Sequence, residues 1–325
     1  MSPTPIASSW IRPTVFILAS ALMLTVGIAS ADEPSPQAVP EAKVPVETLP
    51  GETMPGETMP VETLPVETFP EVTIRGSQHR QLESQVNGHV YHLYIKPPRG
   101  YESRTERYSV LYVLDAETNF GAVSYIVQRL IKDRLIPETL VVGIAYDVSY
   151  RDFYRLRGRD LTPVPGSQGE YGEGERFRDF IETELFPWVA KHYRVKEDDR
   201  TLYGHSLGGL FGFYALLSRP GLFQRYVLLS PSLWWADKAI FQHLGKPTGA
   251  ESPTRLYVAT GEHENGKHHG GQSMVDQHLE MVELLHKVPS SQLRIQSEIL
   301  KGETHRTIFG TGLTRGLRFV YPRTQ

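Results

Sequence analysis

The chain predicts an α/β domain, a mostly parallel sheet with helices on both faces and an antiparallel start. Three observations lead there. From about Glu71 onward, strand-like and helix-like stretches alternate, the pattern that layers helices on a sheet. Several strand-like runs are continuously apolar and rich in Val, Leu and Tyr, as strands buried on both faces are. No helix-like stretch separates the first two strand-like runs, near 72–81 and at 90–95, so these are expected to pair antiparallel.

The elements follow in chain order. Residues 1–31 read as a secretory signal: Arg12 precedes an apolar run over 15–28, and Ala29-Ser30-Ala31 matches the small-residue cleavage pattern. That run is short against the roughly 20 residues that a membrane span requires, so secretion or a periplasmic location is expected, with no membrane contact after cleavage. Residues 32–70 form a linker of Pro, Glu and Thr in which five pentapeptides of the form Val/Gly-Glu-Thr-apolar-Pro repeat in register. A proline at every fifth position removes a backbone donor and disfavours the helical region for its neighbour, so a disordered, semi-extended spacer is expected. The catalytic domain then spans 71–325. Its strand-like runs continue at 109–114, 140–144, 200–203, 225–229, 256–260 and 293–299, with helix-like stretches at 122–133, 173–192, 207–218, 273–287 and 305–320.

The chemistry concentrates at Gly204-His205-Ser206-Leu207-Gly208. A Gly-x-Ser-x-Gly pentad between a strand and a helix holds its serine in a strained turn and projects the hydroxyl above the sheet. A hydroxyl is a weak nucleophile until a base takes its proton, and that base must itself be oriented. Two later strand ends supply candidates. Gly261-Glu262-His263-Glu264 follows one and carries two carboxylates, while Lys301-Gly302-Glu303-Thr304-His305 follows another and carries a histidine. Ser206, Glu264 and His305 are therefore the candidate catalytic residues, with Glu262 the alternative acid, in the chain order nucleophile, acid, histidine. The oxyanion of an ester-cleaving intermediate needs two donors. The backbone N–H of Leu207 and one from the segment Ala116–Glu117 are the candidates.

Composition closes several routes. The chain of 325 residues has no cysteine, so disulfides and thiolate metal sites are excluded. A formal net charge of −3 gives no electrostatic case for nucleic acid. His263, His268, His269 and His278 surround a Gly-rich stretch, but their spacing fits neither a helical metal pair nor a zinc-finger set, so no metal is expected there. Arg151, Arg155, Arg157 and Arg159 crowd one segment, and Arg159 is the candidate anion contact. Trp234, at another strand end, is the candidate wall of an acyl or aryl pocket.

Five blocks together carry a resemblance: Leu111 to Asp115, Arg159 to Pro163, Gly204 to Leu210, Gly261 to Glu264 and Gly302 to His305. In that order they resemble the esterase D-like branch of the α/β-hydrolases, and within it the siderophore esterases that open trilactone scaffolds such as enterobactin. The resemblance covers roughly 71–321. It implies Ser206 as nucleophile, His305 as base and Glu264 as the post-strand acid. It further implies a serine hydrolase of small carboxylic esters, with no cofactor, and a monomer is expected. One departure is Asp115-Ala116-Glu117, where the family often has Asp-Gly. An acyltransferase, a carbohydrate acetyl or feruloyl esterase, and a non-catalytic binding protein on the same fold are the competing readings.

Overall fold

A computed structural model of the chain describes residues 72–169, 171–244, 253–266, 273–287 and 292–321. The signal-like segment, the pentapeptide repeats, His268 and His269 lie outside the described residues.

Among the described residues, eight strands build one sheet: β1 (Gln78–Glu83), β2 (Val90–Lys96), β3 (Tyr108–Val113), β4 (Thr139–Ala145), β5 (Val195–His205), β6 (Arg225–Leu229), β7 (Thr254–Gly261) and β8 (Leu293–Leu300). Their order across the sheet is β1-β2-β4-β3-β5-β6-β7-β8. β1 pairs antiparallel with β2 and β2 antiparallel with β4, and every later pairing is parallel. The antiparallel start and the parallel remainder are the arrangement that the sequence predicts.

The helices are α1 (Ala116–Lys132), α2 (Tyr150–Leu161), α3 (Gly174–Phe180), α4 (Phe186–His192), α5 (Leu207–Ser218), a single turn α6 (Trp235–Lys238), α7 (Met274–Lys287) and α8 (Ile308–Val320). A π-turn at Ile181–Leu185 joins α3 to α4, so the predicted helix over 173–192 is one continuous rod with a bulge. α1 begins six residues earlier than the pattern over 122–133 predicts, because Asp115 adopts a left-handed conformation (φ 53°) that turns the chain from β3 straight into the helix. α2 carries the arginine-rich segment and was not predicted. Its polar surface hides the periodicity, and its start is set by the Ser149 side chain accepting from the Asp152 N–H.

Period-two alternation divides the core into two layers. Val110 and Tyr112 of β3 face one layer with Phe177, Phe180, Phe211 and Phe213, while Leu111 and Val113 face the other with α1 and α8. α5 is buried along Gly208–Leu217, which explains why its sequence is apolar all round. Apart from Arg159 on α2, the segments that carry the predicted chemistry leave the carboxyl ends of β3, β5, β6, β7 and β8 and so gather at one end of the parallel strands.

Candidate active site

Ser206 sits between β5 and α5 at φ 60° and ψ −118°, a region that an L-residue occupies only under constraint. Two close approaches hold it there. A Cβ at Gly204 would stand 2.2 Å from the Gly208 carbonyl oxygen, and one at Gly209 would stand 2.9 Å from Pro231 Cα. Gly208 itself has ordinary room, with its nearest neighbours 3.5 Å away at Leu114 and Asp115. The steric need for glycine therefore falls on positions 204 and 209. The Ser206 N–H donates to Leu229 O (3.0 Å), and its carbonyl accepts from Ser232 N (3.0 Å) and Leu210 N (3.0 Å).

Glu264 lies in the 3₁₀ turn after β7 and is buried, and His305 lies in the loop after β8. Nδ1–H of His305 donates to Glu264 Oε2 at 2.6 Å. The other carboxylate oxygen accepts from Ser230 Oγ (2.6 Å) and from the Gly261 N–H (2.7 Å). Burial penalises the Glu264 charge, but the bonds from His305, Ser230 and Gly261 outweigh it and hold the carboxyl below its ordinary range. Glu262 is engaged elsewhere: it accepts from the Gly302 N–H at 2.9 Å. The two loops are also tied by the His263 N–H, which donates to Glu303 O (3.0 Å). Gly261 permits this approach, because a Cβ there would stand 2.5 Å from that same oxygen.

His205, the variable residue of the pentad, reaches under the loop. Its Nε2–H donates to the His305 carbonyl oxygen at 2.7 Å, with the two rings 4.6 Å apart. Burial, reinforced by the neighbouring His305, pulls the His205 pKa down to about 4, so it is neutral at pH 7.

Ser206, Glu264, His305 and Trp234 line one cleft of ≈ 420 Å³ with Ser232, His263, Met274, Thr304 and Arg306. Within it Ser232 Oγ lies 3.3 Å from Ser206 Oγ. The segment after β3 closes on the elbow, since Leu114 and Asp115 are the neighbours of Gly208. Asp115 is held by a bidentate pair from buried Arg157 on α2 (2.8 and 2.9 Å), which ties the turn before Ala116 to a second element. Glu117 is turned away from the elbow: its carboxylate accepts from the amides of Tyr146 and Asp147 at the end of β4. Leu207 opens α5 and Ala116 opens α1, so both N–H groups belong to first helical turns, which lack intrahelical acceptors.

Arg159 does not line the cleft. It is buried and forks onto its neighbour Asp160 (2.6 and 2.9 Å), whose carboxylate also accepts from Tyr91 OH (2.8 Å). His278 is likewise a packed residue of α7, held between Thr260 Oγ1 (2.8 Å) and Ser297 Oγ (2.7 Å). Sequence reading missed Ser230 and Ser232, read only as a strand end, and the roles of His205 and Arg157. The Gly-His-Ser spacing was the one signal for His205, and nothing local marks the serines.

Comparison with known proteins identifies the family. Residues 84–306 match the family model described as "Putative esterase". The chain is 32% identical to the ferri-bacillibactin esterase BesA of Bacillus subtilis over 274 residues, covering 76% of this chain and 90% of that protein. The crystal structure of the BES protein from Bacillus cereus superposes with a TM-score of 0.69 at 25% identity, covering 79% of this chain and 98% of that one. An IroE-like serine hydrolase from Shewanella oneidensis superposes with a TM-score of 0.65 at 28% identity, covering 74% and 79%. The chain therefore belongs to this esterase family and has the α/β-hydrolase fold.

Proposed function

We propose that this protein is an exported serine hydrolase that opens carboxylic esters of siderophore lactones through an acyl-enzyme. The observation that carries the reading is the strained Ser206 on the same cleft as the His305–Glu264 pair. The siderophore esterase among its relatives supports the substrate class. The signal-like segment and the proline-spaced repeats support export and a spacer that holds the catalytic domain away from its surroundings.

The proposed steps are as follows. Ser206 Oγ attacks the ester carbonyl as His305 takes its proton at Nε2. The imidazolium is stabilised through Nδ1–H by Glu264, which stays ionised. The N–H groups of Leu207 and Ala116 receive the oxyanion. His305 then gives the proton to the leaving alkoxide, leaving the acyl group on Ser206. Water, deprotonated by the same histidine, releases the acid. His205 positions the base by holding its backbone, and Ser230 fixes the free lobe of the acid.

Ser206→Ala tests the reading. Turnover of a trilactone or aryl ester is expected to fall by about a million-fold with the fold intact, and labelling by a fluorophosphonate probe to vanish. A variant keeping a tenth of wild-type activity would remove Ser206 from the mechanism.

A further inference from the structure

A second cluster lies on the opposite, antiparallel side of the sheet, away from the cleft. His79 on β1, His92 on β2 and Asp147 just past β4 converge, with their candidate ligand atoms all within 4.8 Å of one another. Register brings them together: β1 pairs Gln81 with His92, so His79 is the diagonal neighbour two residues away on the same face. β2 pairs His92 with Ala145, so Asp147 stands two residues further along that face, where its left-handed backbone (φ 53°) turns the chain off the strand. His79 Nε2 lies 2.8 Å from His92 Nδ1, which lies 3.1 Å from Asp147 Oδ2.

We propose that His79, His92 and Asp147 form a binding site for a borderline divalent transition cation of the zinc type. At ordinary metal–ligand lengths of about 2.0–2.2 Å, the donors of a tetrahedral site stand about 3.3 Å apart. The His79–His92 and His92–Asp147 distances fall just short of that, so a cation requires those two pairs to part by only a few tenths of an ångström. Without a cation, a proton on His79 Nε2 satisfies His92 Nδ1 but leaves the Asp147 carboxylate facing a ring lone pair, and a proton on His92 Nδ1 has to be shared between the two neighbours. Two imidazoles and one carboxylate select zinc-type ions over calcium or magnesium, which prefer all-oxygen sets. Exposed His79 and Asp147 leave the fourth position to water. The Gln81 amide, 3.5 Å from His92 Nε2, can turn its oxygen to accept that ring's remaining proton, the outer bond that metal-bound histidines ordinarily make. The cation would clamp β1 and β2 to the residue whose amide Glu117 already holds at the start of α1.

The test is titration of the purified full-length protein with Co²⁺, read by its ligand-field absorption, and with Zn²⁺, read by calorimetry and thermal unfolding. One equivalent is expected to bind at neutral pH, to weaken as the histidines protonate in acid, and to raise the melting temperature. His92→Ala and Asp147→Asn each alter a direct ligand, so each is expected to weaken binding by at least the roughly ten- to a hundredfold that loss of an outer-shell partner costs. Asparagine tolerates the left-handed backbone at 147, so this variant is expected to fold. A variant with His263→Ala, His268→Ala and His269→Ala is expected to keep the equivalent. Absence of stoichiometric binding, or a bound ion indifferent to His92→Ala and Asp147→Asn, would overturn the proposal.

Discussion

At the residue scale, the two glutamates after β7 differ only in what they reach. Glu264 is buried and meets His305 Nδ1, Ser230 Oγ and the Gly261 N–H, whereas Glu262 bonds the exposed backbone of Gly302. Glu264→Gln keeps the shape but presents either an amide N–H or a neutral oxygen to His305, so it favours the wrong tautomer and leaves the imidazolium uncompensated. Turnover is expected to fall by about four orders of magnitude, and Glu262→Gln to change it little, as steady-state kinetics on one soluble ester will show. Equal losses in both would move the acid. Ser206, the two glutamates and His305 were legible in sequence because each ends a strand-like run, and strand ends converge in a sheet of this kind. The partners that tune them were not. Ser230 and Ser232 are ordinary loop serines until β6 is laid beside β7. Arg159, read in sequence as the candidate anion contact, pairs in the interior with Asp160, and a pair between adjacent residues leaves no mark in a charge pattern.

At the element scale, α5 meets the sheet through two glycines whose demands differ from what the pentad alone suggests. Gly209 packs against Pro231, while Gly208 has ordinary clearance. Gly209→Ala forces the helix off the segment after β6, and overpacking of this kind costs about 1–3 kcal/mol. Its thermal midpoint is expected to drop by several degrees, and that of Gly208→Ala to stay within a degree or two of wild type by calorimetry. A larger loss at 208 would mean that the elbow tolerates less than its spacing allows. The strands were nearly all legible from continuous apolar runs, and β6 runs over the same residues as predicted. α2 was not, because Arg157, Gly158, Arg159 and Asp160 are buried beside Phe153 and Leu161, and their polarity masks the hydrophobic period.

At the scale of the whole molecule, two interior histidines tie stability to acidity. Burial lowers both His205 and His278 to about 4 from an ordinary 6.5. The unfolded chain therefore takes up these protons first, and folding weakens as pH falls from about 6.5 towards 4. At pH 5 each costs about 2 kcal/mol relative to neutral pH, and the lowered carboxyl of Glu264 acts in the same direction. Urea unfolding at pH 7 and pH 5 is expected to differ by several kcal/mol, with His278→Gln flattening the slope. A pH-independent midpoint would show that these rings are hydrated. The sheet order carries a kinetic consequence. Among the described residues β8 is an edge strand, half-buried and registered on β7 alone, and the loop that leaves it bears His305. Strands at a margin open at lower free energy than the interior. When β8 frays, His305 departs while the elbow, β6 and β7 remain folded, so under the proposed mechanism activity is expected to fail through loss of the base before the protein melts. Esterase activity and fluorophosphonate reactivity should then disappear at a lower denaturant concentration than far-ultraviolet circular dichroism, making hydrolysis a reporter of one margin of the sheet rather than of the fold.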